Sequence, residues 1–412
     1  MEFIADFHIH SKYSRATSKD MDIKHIAEWA KLKGITLMGT GDFTHHLWLE
    51  ELKANLEDLG NGLFKYRGIY FILTTEISSI YSKNGRGYRI HNMVFSPSLK
   101  TTDKINETLA RYGNLASDGR PILGMDATDL ARIIFDIDEN CMVVPGHIWT
   151  PWFSLFGSMS GFDKIEDCFE NQTPKIFALE TGLSSDPAMN WRLSSLDRFT
   201  LISNSDSHSP SKIGREANVF NCELDYKTIR EVLKTKDKKR FLSTIEFFPE
   251  EGKYHFDGHR LCAVRLSPQE TRQYQGRCPK CGKKVTVGVM NRVEQLADRQ
   301  IGYVPANSIP YKNLVPLDEI IADAKGIAKT SVAVERDYQG YVSKFGTEFE
   351  ILLRLPKEDL VKGLPSRVAE GILRVREGKV NIKAGFDGEY GKISIFGDEE
   401  KPAKDEEQLS LF

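Results

Sequence analysis

The chain has 412 residues, 40% of them hydrophobic and 10% aromatic, which excludes a disordered or fibrous protein and suits two or three domains. Its 56 Lys and Arg against 58 Asp and Glu leave a formal charge of −2, a balance that by itself speaks against a nucleic-acid partner. The charge is uneven, however: residues 1–226 carry 23 basic and 30 acidic side chains, 227–300 carry 17 and 9, 301–397 carry 14 and 13, and 398–412 carry 2 and 6. An acidic body, a basic middle and an acidic tail lie behind the near-neutral sum.

In chain order, the opening MEFIADFHIH lacks the apolar core of an export signal. Short β-rich runs then alternate with amphipathic segments. Ile35–Gly39, Tyr70–Thr75, Arg89–Phe95, Met142–Pro145, Ile176–Leu179 and Thr200–Ser203 read as strands; Ile23–Leu32 and Leu47–Leu59 read as helices. This alternation predicts βα units around a parallel sheet or barrel, with its chemistry at the C-terminal strand ends. Cys141 to Phe162 runs 22 residues without Asp, Glu, Lys or Arg, but Pro145, His147 and Pro151 make it a strand and loop rather than a membrane span. Cys141, Cys168 and Cys222 read as buried thiols of a reducing compartment. A soluble, cytoplasmic protein is expected, associated with the nucleoid when bound to DNA.

Six of the ten histidines fall at or just beyond these strand ends, with carboxylates nearby: Asp6-Phe-His8-Ile-His10, Asp42-Phe-Thr-His45, Glu76, His91, His147 and Asp206-Ser-His208. Residues i and i+2 of a strand face one side, so His8 and His10 can address one ion, as can Asp206 and His208. Imidazole with carboxylate suits zinc, manganese or iron. A single histidine at a strand end is more often structural than a ligand, but six in this register favour metal binding. His25 and His46 read as ordinary surface residues, although His46 is an alternative to His45.

The motifs DFHIHSKYS, GTGDFTH, TTEIS, RIHNMV, VPGH and NSDSH over residues 1–225 resemble the PHP (polymerase and histidinol phosphatase) family. The resemblance implies a distorted (β/α)7 barrel with a trinuclear metal centre. His8, His10, Glu76 and Asp206 would hold one ion, and Glu76 would bridge to a second held by His91 and His147. Asp42, His45 and His208 would serve the third. Asp206, Glu76 and His10 are the expected catalytic core, with zinc, manganese or magnesium as its ions. Clustered divalent ions activate water and stabilise charge on a phosphate, so phosphoester hydrolysis is the expected reaction. Lys212 and Arg215 are candidates to neutralise a phosphate oxygen, and equally read as surface charges.

From residue 227 the composition changes, with seven basic residues among the fourteen of Lys227–Arg240. His259-x2-Cys262-x15-Cys278-x2-Cys281 follows, the spacing of a structural zinc site, with His255 a rival fourth ligand. A redox CxxC would sit in a thioredoxin-like βαβ unit, and this one follows a polar turn. With little core of its own, the segment should need the ion to fold. Its surplus of positive charge suits phosphates and shifts the expected substrate towards nucleic acid. Leu314–Ala324, Phe345–Leu355 and Arg367–Arg376 read as helices of a mainly helical C-terminal region, and RVAEGILRVREGK weakly resembles a helix-hairpin-helix. The expected domains are 1–226 (metal-dependent phosphoesterase), 227–304 (basic zinc-binding module), 305–397 (mainly helical) and 398–412 (disordered acidic tail).

With GKYHFDGHRLC, CPKCG, VGVMNRVEQLADR and GFDGEYGKISIF, nearly the whole chain resembles the endonuclease Q family. That implies cleavage of damaged DNA on the 5′ side of deaminated bases (uracil, hypoxanthine, xanthine) and of abasic sites. An extruded base needs stacking surfaces and edge hydrogen bonds; Trp149, Trp152 and Phe153, and the Tyr81–Tyr88 loop with Arg86, are candidates, as are core roles for the same aromatics. The closing Gln408-Leu409-Ser-Leu411-Phe412 resembles the bacterial sliding-clamp-binding pentapeptide and implies a clamp partner and a bacterial source; docking back on its own protein is the plainer reading. A small-molecule phosphatase and a non-catalytic lesion-binding protein are the alternatives; the first would leave the zinc segment unexplained, the second would bind lesions without cutting.

Overall fold

The computed structural model describes residues 1–400 of the protein. Seven strands build its body: β1 (Glu2–Asp6), β2 (Leu37–Gly39), β3 (Ile69–Lys83), β4 (Arg86–Ser96), β5 (Met142–Pro145), β6 (Ala178–Glu180) and β7 (Thr200–Ile202). β1, β2 and β3 are parallel, with Ala5 opposite Leu37 and Leu37 opposite Tyr70. β3 and β4 form a long antiparallel hairpin that reaches Lys83 opposite Arg86, and β5 returns antiparallel to β4. β6 and β7 form a separate parallel pair.

A few hydrogen bonds bridge the gaps in this ring. Ile148 N donates to Glu180 O at 3.1 Å between β5 and β6, and His10 N to Ser207 O at 2.9 Å with Ser207 N to His8 O at 3.4 Å beyond β1 and β7. The reversed hairpin and broken ladders make the (β/α)7 barrel a distorted one. Outside β1 the sheet continues through antiparallel Ala217–Asn221, then Phe241–Glu246 and Tyr311–Asn313.

Alternate strand residues fill the barrel floor below the site. Phe3, Ala5, Phe7, Ile72, Phe95, Val144 and Ile202 are buried in one apolar cluster, with the Phe7 and Phe95 rings edge to face at 5.5 Å. On the outside, the helix Ile23–Lys33 buries Ile23, Ile26, Ala27 and Ala30; Asp22 caps its start, and Gly34 ends it at φ +90°.

The C-terminal region contains helices Leu317–Lys325, Val332–Phe345, Lys357–Gly363 and Ser366–Arg376. The helix expected over Phe345–Leu355 is not formed as one element. Phe345 ends a 14-residue helix, Gly346 turns the chain at φ +107°, and Glu350–Arg354 forms a π turn. Glu348 in that break is buried against Lys33 Nζ (2.6 Å) and the Tyr338 hydroxyl (2.7 Å), which ties the region to the barrel. Similarly, the expected Leu47–Leu59 helix stops at Asn55, and Glu57–Asp58 joins the sheet edge. No helix among the described residues is long and apolar enough to cross a membrane.

Candidate metal centre

The ligand-bearing segments meet at one mouth of the barrel because the chain turns sharply after β2, β5 and β7. Asp42, His147 and Asp206 hold φ of +50°, +28° and +47°, a region that costs non-glycine residues energy and is retained where it aims a functional side chain. Space is tight around them: a side chain at Gly182, itself at φ +64°, would begin 2.5 Å from His147 Cβ.

Two groups of ligand atoms form, each lying within 4.8 Å of one another: His8, His10, Glu76 and Asp206, and Glu76, His91 and His147. Glu76 belongs to both. Its Oε2 lies 3.5 Å from His8 Nε2 and 3.2 Å from His10 Nε2, while Oε1 lies 2.6 Å from His91 Nδ1 and 3.1 Å from His147 Nε2. Asp206 Oδ1 stands 3.0 Å from His10 Nε2 and 3.7 Å from His8 Nε2. Yet His8 Nε2, His10 Nε2 and Asp206 Oδ1 are buried with no hydrogen-bond partner. Buried, converging lone-pair donors without a hydrogen-bond partner fit a cation, and the nitrogen and carboxylate set suits a divalent one.

Electrostatics agree. Burial pushes the His91 imidazole down to about 4, leaving it neutral with a lone pair to offer. Burial favours the protonated form of Asp206 and Glu76, but the surrounding histidines, with Arg120 beside Glu76, hold both carboxyls well below their usual range.

Three groups support the site, of which Glu180 and Arg120 lie outside the motifs read from sequence and Asp6 opens the first of them. Glu180, at the end of β6, accepts from His8 Nδ1 (2.9 Å), the His147 backbone (2.7 Å) and Asn204 Nδ2 (2.9 Å). Arg120 Nη1 lies 3.1 Å from Glu76 Oε2. Asp6 accepts from the backbones of Ser205 (3.1 Å) and Gly214 (2.9 Å), fixing the loop that carries Asp206. No local spacing signals Glu180 or Arg120; only their place in the folded chain identifies them.

The expected third set does not come together among the described residues. Both oxygens of Asp42 are engaged, one with His10 Nδ1 at 3.0 Å and the other with Ser11 and Ser14. His45 stacks on Tyr13 with ring centroids 4.5 Å apart, and His208 Nδ1 donates to the Asp206 carbonyl at 2.9 Å.

The proposed phosphate and base contacts also sort out. Lys212 faces Asp318 and Glu319 at 3.8 and 3.6 Å, and the Arg215 guanidinium lies over the Phe247 ring at 5.3 Å. Trp149 is fully buried, its indole N–H donating to Asn190 at 2.8 Å, so it is core and not a stacking surface. Arg86 donates to the Gly161 carbonyl at 3.0 Å, and Tyr88 stacks on Phe162 at 3.9 Å. Trp152 does meet the site, in a cavity of about 620 Å³ lined by His91, His147 and Asp206 together with Trp152 and Tyr254. The Trp152 and Tyr254 rings lie edge to face at 5.4 Å.

Tyr254 belongs to the cysteine-bearing segment, where a second cluster forms. His259, Cys262, Cys278 and Cys281 bring their ligand atoms within 4.8 Å of one another, the donor set of a structural zinc site. His255 is not among them and lines the cavity instead. The hairpin Asp257–His259 with Val264–Leu266 supplies two ligands. The turn at Cys278, closed by Gly282 N donating to Cys278 O at 2.8 Å, supplies the others. The module's own apolar cluster is small: Val264, Leu266, Cys278 and Val285.

Comparison with known proteins places these features. Residues 316–379 match the family model of the MJ0043 C-terminal domain. The uncharacterized protein YqxK of Bacillus subtilis is 30% identical over 409 residues, covering 94% of this chain and 98% of that protein. The uncharacterized protein MJ0043 of Methanocaldococcus jannaschii is 35% identical over 268 residues, 63% of this chain but 33% of that longer protein. Among solved structures, the lesion-specific endonuclease PfuEndoQ of Pyrococcus furiosus is similar at a TM-score of 0.87 and 33% identity, with 100% of both chains covered. Endonuclease Q in complex with a 27-mer duplex substrate bearing an abasic lesion at the active site is similar at 0.86 and 33% identity, with 99% of this chain and 100% of that one covered.

Proposed function

The chain belongs to the endonuclease Q family, and we propose that it is a DNA repair endonuclease that cuts the phosphodiester bond 5′ to a deaminated base or an abasic site. The observation that carries this reading is the single cavity lined both by His91, His147 and Asp206 and by the aromatic surface of Trp152 and Tyr254. A scissile phosphate beside the histidines and Asp206 would leave room in the same cavity for an extruded base against the aromatic surface.

His8, His10, Glu76 and Asp206 would hold one divalent ion, and Glu76, His91 and His147 another. Bound there, the ions supply an activated water and neutralise charge developing on the phosphate. The chain's own residues do the rest. Glu180 and Asp42 keep the protons of His8 and His10 on Nδ1, so that both Nε2 atoms face the site. Arg120, on the cavity wall beside Glu76, offers a guanidinium to a phosphate oxygen. Trp152 and Tyr254 exclude water and stack the base. Zinc at His259, Cys262, Cys278 and Cys281 would hold the wall that carries Tyr254, while exposed Arg260, Arg277, Lys280, Lys283 and Lys284 around that cluster meet the backbone.

The expected clamp contact through Gln408, Leu409, Leu411 and Phe412 lies outside the described residues. We retain it as part of the proposal: removing residues 408–412 should abolish pull-down by a bacterial sliding clamp while cleavage of naked duplex persists.

The test is cleavage of a labelled duplex containing one deoxyuridine, one deoxyinosine or one abasic site, beside its undamaged twin. Cutting of all duplexes at equal rates would remove the lesion specificity. Turnover of histidinol phosphate or nucleotides without DNA cleavage would favour a small-molecule phosphatase.

A further inference from the structure

We propose that Leu261 and Tyr390 form a wedge that enters the duplex beside the extruded nucleotide and stacks on the bases its departure uncovers. This rests on the proposed cleavage of duplex DNA next to a lesion and adds the residues that hold the duplex open there.

Leu261 is 84% exposed and Tyr390 74%, although a leucine and an aromatic ring gain most from burial. Single exposed apolar side chains are ordinary; these two are fastened together. Leu261 stands between His259 and Cys262 in the tight turn Arg260–Cys262, which Ala263 closes at φ +49°, its N–H donating to the Arg260 carbonyl at 2.9 Å. Tyr390 follows a turn over residues 386–389. There Phe386 and Glu389 exchange backbone hydrogen bonds of 3.1 and 2.8 Å around Asp387 and Gly388, at φ +43° and +88°, the left-handed pair that an Asp-Gly hairpin turn adopts. Asp387 joins one turn to the other: its carboxylate accepts from Arg260 N at 2.6 Å and from the Thr286 hydroxyl at 2.6 Å. Side chains carried on turns braced in this way lose little freedom when they bind.

Both turns border the cavity. Gly388 N donates to the Lys253 carbonyl at 3.0 Å, and a side chain at Gly388 would begin 3.6 Å from Arg260 Nη1 and 3.7 Å from Tyr254 Oη. Lys253 and Tyr254 line the cavity themselves. Lys253 Nζ lies 4.5 Å from the centroid of the Tyr390 ring, so the exposed ring carries a cation beside it. Around Leu261, Arg260, Arg277, Lys280, Lys283 and Lys284 are exposed, and Lys280 Nζ donates to the Cys262 carbonyl at 2.9 Å. An apolar tip ringed by cations fits the bases and phosphates of DNA better than an apolar protein surface.

Extruding a nucleotide leaves its neighbours without a stacking partner. Apolar side chains inserted at an opened step offset that loss, and aromatic stacking accepts any base because every base has a π-face. A wedge at this place serves a uracil, a hypoxanthine and an abasic site alike, because it touches the neighbours and not the lesion.

The experiment measures single-turnover cleavage of two duplexes that differ only around one deoxyuridine, which is paired with adenine in one and lies in a short unpaired bubble in the other. Leu261→Ala and Tyr390→Ala should each slow cutting of the paired duplex about 10-fold, the scale of one lost stacking contact. The bubble should be slowed far less, because no stack has to be broken there. Tyr390→Phe keeps the ring and should keep most of the wild-type ratio of paired to bubble cleavage. That ratio is internal to each variant, so a smaller folded fraction does not move it. An unchanged ratio in either alanine variant would remove that residue from the wedge, and an unchanged ratio in both would overturn the proposal. Wild-type protein that cuts neither duplex would refute the endonuclease reading, and the wedge with it.

Discussion

Asp42 Oδ1 lies 3.0 Å from Nδ1 of His10, while Asp42 Oδ2 accepts from the Ser11 backbone (2.6 Å), the Ser11 hydroxyl (2.7 Å) and the Ser14 hydroxyl (2.9 Å). On the proposed reading, a carboxylate engaged in this way would orient a ligand: it holds the proton on Nδ1 and leaves Nε2 towards Glu76 and Asp206. Asp42→Asn should therefore preserve the fold and weaken metal retention about 10- to 100-fold. Metal analysis after titration with a chelator reads the effect, and retention equal to wild type would contradict the orienting role.

Arg120 supplies the second prediction. Its pairing with Glu76 at 3.1 Å places a guanidinium at the cavity wall without making it a ligand. Arg120→Ala should slow single-turnover cleavage about 100-fold, the scale of a lost charge-stabilising donor. Arg120→Lys should recover only part, because a lysine lacks the planar fork. A fall in DNA affinity with unchanged cleavage rate would argue for a role in binding alone.

The cysteine cluster should be structural. Cys278 is buried in a module whose apolar cluster has few members, so on the proposed reading a bound ion would supply much of its folding free energy. Cys278→Ser should release about one metal per chain and render the segment around residues 257–285 protease-sensitive while the barrel stays resistant. Unchanged metal content would show that the cluster holds none.

Buried Glu246 gives a stability prediction with a defined sign. Its carboxyl accepts from Thr181 (3.1 Å) and Ser203 (3.1 Å), and burial raises it from an ordinary 4.5 to about 8. The folded state thus keeps a proton that the unfolded chain releases from about pH 4.5 upward, and stability falls as pH rises from 4.5 towards 8. Glu246→Gln should flatten part of this slope in thermal unfolding measured across that range. An identical slope in the variant would assign the pH dependence to other groups.

The barrel strands and the alignment of His8, His10, Glu76, His91, His147 and Asp206 were legible because each reflects local chemistry: strand alternation, and polar side chains where an apolar run ends. What escaped is what other parts of the chain decide. Asp42 reads as a ligand beside His45 until the turn at φ +50° directs it to His10. Lys212 reads as a phosphate contact until Asp318 and Glu319, a hundred residues on, pair with it. Trp149 and Trp152 look equivalent in sequence, yet one is core and the other lines the cavity. Glu180 and Arg120 sit in unremarkable segments and acquire meaning only where β6 and the loop after residue 110 close on the site. Gly346 and the buried Glu348 break what periodicity alone reads as a helix through Phe345–Leu355.

The most direct test of the account is to map the cut on a 5′-labelled duplex with one deoxyuridine, using metal-restored wild-type protein beside Asp206→Asn. We predict a single metal-dependent incision immediately 5′ to the uracil, leaving 3′-hydroxyl and 5′-phosphate ends, none in the undamaged duplex, and its loss in the folded variant. Incision of both duplexes alike, or full activity in Asp206→Asn, would contradict the account.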